Sequence, residues 1–481
     1  EYATAVRGLD SYLKSAPKHT LRDWGHYYLG DALVQQKQFT AAEAIYRKSL
    51  AEFPRSTLAN DVRYGLAVCC QHGMKQDEAR RLFGRLAADK ASGHADRALA
   101  QLGSLEFDAK RFADAASAWD RLARDFPKSP EASGAKMNSG FARFQLQQYT
   151  EAIASFRAAR TNKAQAAEAD YWRGVSYKAL DKTDEAIRAF RDAESNQPAV
   201  ALARDIQFQW ADTEFRSGQY DLAASRFQDV ITRWPRHPAA DQALLFATES
   251  VLLSASQLSE PTNRQKKLAE AGQLVDRFAR EFPKSRLTAR HRLQAGRLKL
   301  AAGKEADLRA AVGLFRQAVS EGDTEQSRNR ARYQLARAAS RLGDNKLVLQ
   351  TLRPFLKSID DSNKPGEFDD ALVLAASSFL AAGQHKSAST AATRYLKKHP
   401  TDQLATDALA VQAESAEALG ESRSADLSLT RLANVSRNNP VYAQTVRRMA
   451  EQSYKAKDYA RSSTLFGHLV ALGPQSPFHA A

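Results

Sequence analysis

The chain has 481 residues, 70 Lys and Arg against 55 Asp and Glu, and a net charge of +15. Ala, Leu, Arg, Gln and Glu dominate and β-branched residues never gather in alternating runs, which excludes a sheet protein; no run approaches the roughly 18 apolar residues of a membrane span. The charge excess suits acidic partners or anionic surfaces, but over this length it is a modest bias.

Tyr2 to Pro17 reads as the second helix of a helix pair whose first helix is missing, with Ala5, Leu9, Tyr12 and Leu13 on one face. From residue 18 the units are whole. In the first, Trp24, Tyr27, Tyr28, Leu29, Gly30 and Leu33 make an amphipathic helix A, Gln36 to Gln38 turn the chain, and Thr40 to Phe53 form helix B.

The stretch Lys37 to Ser56 then returns along the chain: an aromatic, a small residue three later, an aromatic four after that, and an aromatic-Pro-x-Ser end. Copies run Phe39, Ala42, Tyr46, Phe53-Pro54, then Phe112, Ala115, Trp119, Phe126-Pro127, then Tyr220, Ala223, Phe227, Trp234-Pro235. The small residue marks every unit: Ala42, Ala79, Ala115, Ala152, Ala186, Ala223, Ala271, Ala311, Val348, Ala388, Ala425 and Ser462. Successive gaps are 37, 36, 37, 34, 37, 48, 40, 37, 40, 37 and 37 residues, so twelve units follow the half unit. The expected organisation is residues 1–17 as half a repeat and 18–481 as one continuous array, in which each unit touches only its neighbours.

Each signature position has a physical task. The small residue of helix B, and the Gly or Ala twelve positions earlier (Gly30, Ala67, Gly103, Gly140, Gly174, Ala211), let the two helices approach closely. The aromatics fill the wedge between pairs. Proline lacks an amide hydrogen and disfavours helix in the residue before it, so Phe53-Pro54 and its copies end helix B; Ser56, Ser129 and Ser285 are placed to cap the next helix A.

These residues resemble tetratricopeptide repeats, with Leu29-Gly30, Ala42, Tyr46 and Pro54 at that family's Leu-Gly, Ala, aromatic and Pro places. The Trp that the family has near the start of helix A is missing from most units, and Trp24, Trp172 and Trp210 are not in register. The longer spacing and the Phe-Pro-x-Ser end are similar to a bacterial envelope subset, the periplasmic Tol-Pal coordinators and outer-membrane assembly lipoproteins. The resemblance implies an all-α, right-handed superhelical solenoid whose helices A line a concave groove. It also implies a periplasmic or outer-membrane-associated place, with a cytoplasmic one as the alternative.

Two stretches break the rhythm. Ser254 to Lys267 and Asp360 to Gly366 are polar and rich in Ser, Pro and Asn, and read as surface loops. After Val348 the aromatics fade, with Leu352, Ala392 and Leu429 in their places, so looser packing is expected from about residue 345. Glu1 opens inside a helix and Ala481 falls where a further unit begins, so both ends read as cuts. Open ends of this kind invite association, and oligomeric state stays open.

Signals for catalysis are poor. There is no Gly-rich phosphate loop, HExxH, paired-Cys zinc spacing or GxSxG elbow. The histidines are scattered, and no enzyme activity, cofactor or metal is expected. Cys69 and Cys70 are adjacent in a helix, where a mutual disulfide would be strained, and they read as small core residues.

What remains is surface. The groove positions of helix A include Trp24, Tyr27, Tyr64, Phe107, Phe141, Phe144, Tyr171, Phe208 and Phe215 in the first six units. In the eighth and ninth they are Arg290, Arg297, Arg330, Arg337 and Arg341. Lys284 to Arg341 holds 14 Lys and Arg against five Asp and Glu, a local net of +9. Arginine forks match carboxylates and phosphates, so an acidic tail or a carboxy-terminus is the expected partner there, while aromatics at helical spacing also serve as packing between pairs. The first reading is therefore a scaffold that holds a protein or peptide segment. The others are an anionic-polymer binder, for which nucleic acid is disfavoured because only Tyr333 interleaves with the arginines, and the docking arm of a larger enzyme.

Overall fold

The computed structural model describes residues 1–357, 359, 364–436 and 440–472. It holds 25 helices and no strand among them. The chain divides into two compact units, Glu1–Arg226 and Phe227–Ala481.

The first unit opens with α1 (Tyr2–Ser15) and continues as antiparallel pairs of helix A and helix B: α2 (Arg22–Gln35) with α3 (Phe39–Glu52), α4 (Ala59–His72) with α5 (Gln76–Ala88), α6 (Ala95–Asp108) with α7 (Phe112–Asp125), α8 (Ala132–Gln145) with α9 (Tyr149–Ala159), and α10 (Ala166–Ala179) with α11 (Thr183–Ser195). The sixth pair is α12 (Val200–Arg216) with α13 (Tyr220–Arg233), within which the division falls.

The second unit holds α14 (Ala240–Gln257) with α15 (Pro261–Glu281), α16 (Thr288–Ala302) with α17 (Glu305–Glu321), and α18 (Glu325–Arg341) with α19 (Asn345–Leu356). It ends with α20 (Asp370–Ala381) and α21 (His385–Lys398), α22 (Ala405–Ala418) and α23 (Ser422–Ser436), and α24 (Pro440–Lys455) and α25 (Tyr459–Val470). The twelve helix pairs expected from spacing are present after α1.

The turn inside ten of the twelve pairs is built the same way. Five positions before the marker the backbone adopts positive φ: Lys37 at 60°, Met74 at 57°, Lys110 at 60°, Gln147 at 60° and Asp181 at 55°, with Gly218, Gly343, Gly383 and Gly420 in other pairs. The next amide donates back to a carbonyl five residues earlier, as from Gln38 to Leu33 and from Gln148 to Arg143, both at 2.9 Å. This left-handed C-terminal cap satisfies the last carbonyls of helix A and reverses the chain within three residues. It is why the spacing between the small residues of helices A and B recurs.

Between pairs, Phe53 closes helix B through its amide to Ser49 O at 2.8 Å, and Pro54 follows. Ser56 was expected to cap helix A, but Leu58 is the N-cap. The Ser56 hydroxyl accepts from Leu58 N at 3.1 Å and donates to Asp23 on the preceding helix A at 2.6 Å. Ser129 ties Asp96 and Ser285 ties Asp241 in the same way, each at 2.6 Å. The serine therefore locks the turn to the previous repeat.

The loop expected at 254–267 is mostly helix. α14 runs to Gln257 and α15 begins at Pro261, leaving three residues between them. Proline is tolerated at the first helical position, and the Glu260 carboxylate accepts from Thr262 N and Asn263 N at 3.0 and 2.7 Å. The extra residues lengthen both helices, and the polar stretch is their exposed ends. Of the second irregular stretch, residues 360–363 lie outside the described residues.

In two of the units after residue 345 the ring moves rather than disappears. Leu352 and Ala392 are fully buried, and Phe355 and Tyr395, one helical turn further on, are 2% and 0% exposed.

Candidate partner-binding surface

Helix A of the first full pair carries the most open aromatic face of the first unit. Trp24 and Tyr28, four residues apart on α2, are 40% and 47% exposed, with ring centroids 5.9 Å apart. Tyr27 lies half-buried beside Tyr28 at 5.2 Å. Burial and the nearby carboxylates of Asp31 and Asp61 raise its phenol above the ordinary range, while Arg97 opposes them. The sequence pattern marked Trp24 and Tyr27; Tyr28 and Asp31 were missed, although their three- and four-residue offsets place them on the same stripe.

The other aromatic candidates are committed to packing. Tyr64 stacks on His94 at 5.2 Å and meets Phe83 edge-on at 5.8 Å. Phe141 meets Phe156 and Trp172 edge-on, and Tyr171 packs on Trp172 and Phe190. Trp172 thus joins Phe141 to Tyr171, and burial first, then Asp205, pushes the Tyr171 phenol up to about 12. Each of these rings is partly buried.

The arginine candidates are largely engaged within the chain. Arg297 on α16 pairs with Glu249 on α14. Arg330 on α18 meets Glu367 at 2.7 Å. Arg341 donates to Leu300 O at 2.6 Å, and Arg337 lies 5.8 Å from the centre of the Tyr333 ring. Arg290 is exposed with Asp323 in its electrostatic reach. Glu249 and Glu367 lie outside the stretch that reads +9, so the local excess of charge overstates the free positive surface.

Burial raises the thiols of Cys69 and Cys70, to about 12 and about 11, so neither is a ready thiolate. The Cys70 thiol lies within 4.8 Å of ligand atoms of Glu43 and Glu78. Both carboxylates already meet Arg47, and Glu43 also meets Lys75, at 2.6–2.8 Å. Two cations inside the cluster make it a salt-bridge knot unsuited to a metal.

Among the described residues no helix is long and apolar enough to cross a membrane. Family models described as tetratricopeptide repeat match residues 25–57, 100–167, 140–201 and 208–246, and a second model of that description matches 370–402. No curated protein matches the chain. Similar solved structures include a tetratricopeptide repeat protein from Parabacteroides merdae, 17% identical, covering 58% of this chain and 98% of its own, at a TM-score of 0.35. A thermophilic TPR protein from Thermus thermophilus is 20% identical over 44% of this chain and 99% of its own, at 0.33. The Cut9-Hcn1 hetero-tetramer of the APC/C is 14% identical over 100% of this chain and 92% of the matched one, at 0.33. Tetratricopeptide repeat models thus match segments of both units within an all-α array of helix pairs.

Proposed function

We propose that the protein is a non-enzymatic interaction scaffold that holds a peptide or protein segment along the exposed faces of its helices A. The carrying observation is the Trp24–Tyr28 pair: two large rings left 40% and 47% exposed in a first unit that packs its other helix-A aromatics. Exposed aromatic anchors of this kind supply most of the energy of a small interface. The groove positions Tyr64, Phe141 and Tyr171 offer partly exposed rings on the helices A that follow, α4, α8 and α10. In the second unit Arg290 offers an exposed guanidinium of the basic stretch. The pairing of Arg297 and Arg330 with Glu249 and Glu367 weighs against an anionic polymer as the main ligand.

The place in bacterial envelope assembly or maintenance follows from the Phe-Pro-x-Ser resemblance, and fractionation of cells making the full-length product checks it. The groove is tested by selecting a displayed random-peptide library on the full chain. Retained peptides should lose binding to Trp24→Ala/Tyr28→Ala and keep it with Met74→Ala, an exposed control. Retention indifferent to the double variant would overturn the assignment.

A further inference from the structure

We infer that the α2 face made by Trp24, Tyr28 and Asp31 takes a cationic side chain, arginine or lysine, of the docked segment. This rests on the groove reading above and names the partner's chemistry at α2, whereas the acidic partner expected from the amino-acid pattern belongs to the basic stretch 284–341.

The two rings provide negative π faces tilted by 36° at 5.9 Å, and a cation over such faces is attracted by the ring quadrupole. Asp31 follows Tyr28 by three residues and Trp24 by seven, which puts its carboxylate on the same helical stripe. The cations nearby are turned elsewhere or opposed. Arg22 donates to Leu13 O at 2.7 Å and pairs with Glu52. Arg97 faces Tyr27 together with Asp31 and Asp61, and Asp61 accepts from His94 at 3.0 Å.

Register makes Asp31 unusual. It stands one position after the small residue of helix A, as do Asp212 after Ala211, Glu414 after Ala413 and Glu451 after Ala450. Each of those acids has a cation: Asp212 meets Lys178 and Arg216, Glu414 meets Arg448 at 2.6 Å, and Glu451 meets Arg447 at 2.8 Å. Among the described residues the Asp31 carboxylate has neither an ion pair nor a hydrogen bond.

The chain also shows the combination filled. The Arg226 guanidinium lies 3.6 Å from the Trp210 ring centre while its nitrogens meet both Glu214 oxygens at 3.0 Å. A ring and a carboxylate one helical turn apart, Trp210 and Glu214, thus hold a guanidinium between them. Tyr28 and Trp24 with Asp31 present the same groups to the outside.

The test uses the full chain and the peptides retained from the displayed library. Arginine or lysine should be enriched in them. A synthetic retained peptide whose arginine is replaced by citrulline, the neutral analogue of the same shape, should bind about tenfold more weakly. Asp31→Asn should lose about the same factor with an unchanged melting temperature, and the citrulline peptide should not distinguish it from the parent. Equal binding of the citrulline peptide, indifference to Asp31→Asn, or enrichment of acidic sequences would overturn the cation site while leaving the groove standing. A library that yields no retained peptide would overturn both.

Discussion

A methyl group placed on Gly140 would stand 2.5 Å from Cε1 of Phe156, closer than any real side-chain contact. The same holds for Gly174 against Phe190 and Gly103 against Trp119, each at 2.5 Å. The glycine of helix A is thus the floor on which the aromatic of helix B lies. Phe156 and Phe190 are fully buried, so neither ring can swing away. Gly140→Ala should destabilise the chain by about 1–3 kcal/mol through overpacking. Gly134→Ala, in the same helix α8 with nothing within 4 Å, should stabilise by up to about 1 kcal/mol through helix propensity. Urea unfolding of the two variants, read at constant slope, checks that the signs are opposite.

The left-handed turn residues make a second prediction. Lys37, Met74, Lys110 and Gln147 hold φ between 57° and 60°, a region in which a β-carbon is crowded. Met74 is 86% exposed, so its side chain adds almost no packing. Met74→Gly should stabilise by about 0.5–1 kcal/mol, and Lys37→Gly, Lys110→Gly and Gln147→Gly should add to it because the sites are far apart in sequence and share no partner. A rise in the melting temperature that fails to accumulate from single to quadruple variant would count against the shared-turn account.

The pair architecture was readable because its causes are local and periodic. Ala42 and its copies need no knowledge of distant residues, and the Phe53-Pro54 stop acts through its own backbone. Exposure was not readable in that way. Tyr64 and Tyr28 are both aromatics on helix A, yet His94, thirty residues on, covers the face of Tyr64 while Tyr28 stays open. The ion pairs of the arginines were hidden for the same reason: Glu249 lies 48 residues before Arg297, and Glu367 37 residues after Arg330. The polar stretch 254–267 was read as loop because Ser-Glu-Pro breaks a helix, whereas here it caps and starts one.

Those pairings change which arginines can be used as probes. Arg330→Glu would set a second carboxylate against that of Glu367, so a loss of binding there would mix stability with recognition. Arg290→Gln avoids this, since Arg290 is exposed without an ion pair among the described residues and the amide sets no new carboxylate against Asp323. Arg290→Gln should leave the melting temperature unchanged within error, whereas Arg297→Gln should lower it by removing the contact of α16 with Glu249 on α14. Thermal unfolding of both variants decides between a free and an engaged arginine.

The last prediction concerns pH. Asp369 is 2% exposed and meets Lys398 Nζ and His399 Nε2, both at 2.9 Å, and the Gly366 amide at 2.7 Å. Burial alone would raise its carboxyl, but these donors outweigh it and hold the group below the usual carboxylate range. A depressed folded-state value means that the ionised form is favoured by folding. The stability it contributes is therefore complete above the unfolded value of about 4 and is lost as pH falls through the lower folded value. Asp369→Asn removes the charge and leaves Lys398, itself 9% exposed, without its partner, so it should cost about 3 kcal/mol at pH 7. The difference between parent and variant should shrink as the pH is taken from 5 towards 3, because the unfolded parent chain then takes up a proton that the folded ionised carboxylate resists. Unfolding free energies measured across that range that kept a constant gap would show that the Asp369 charge is not what holds residues 366–369 to α21.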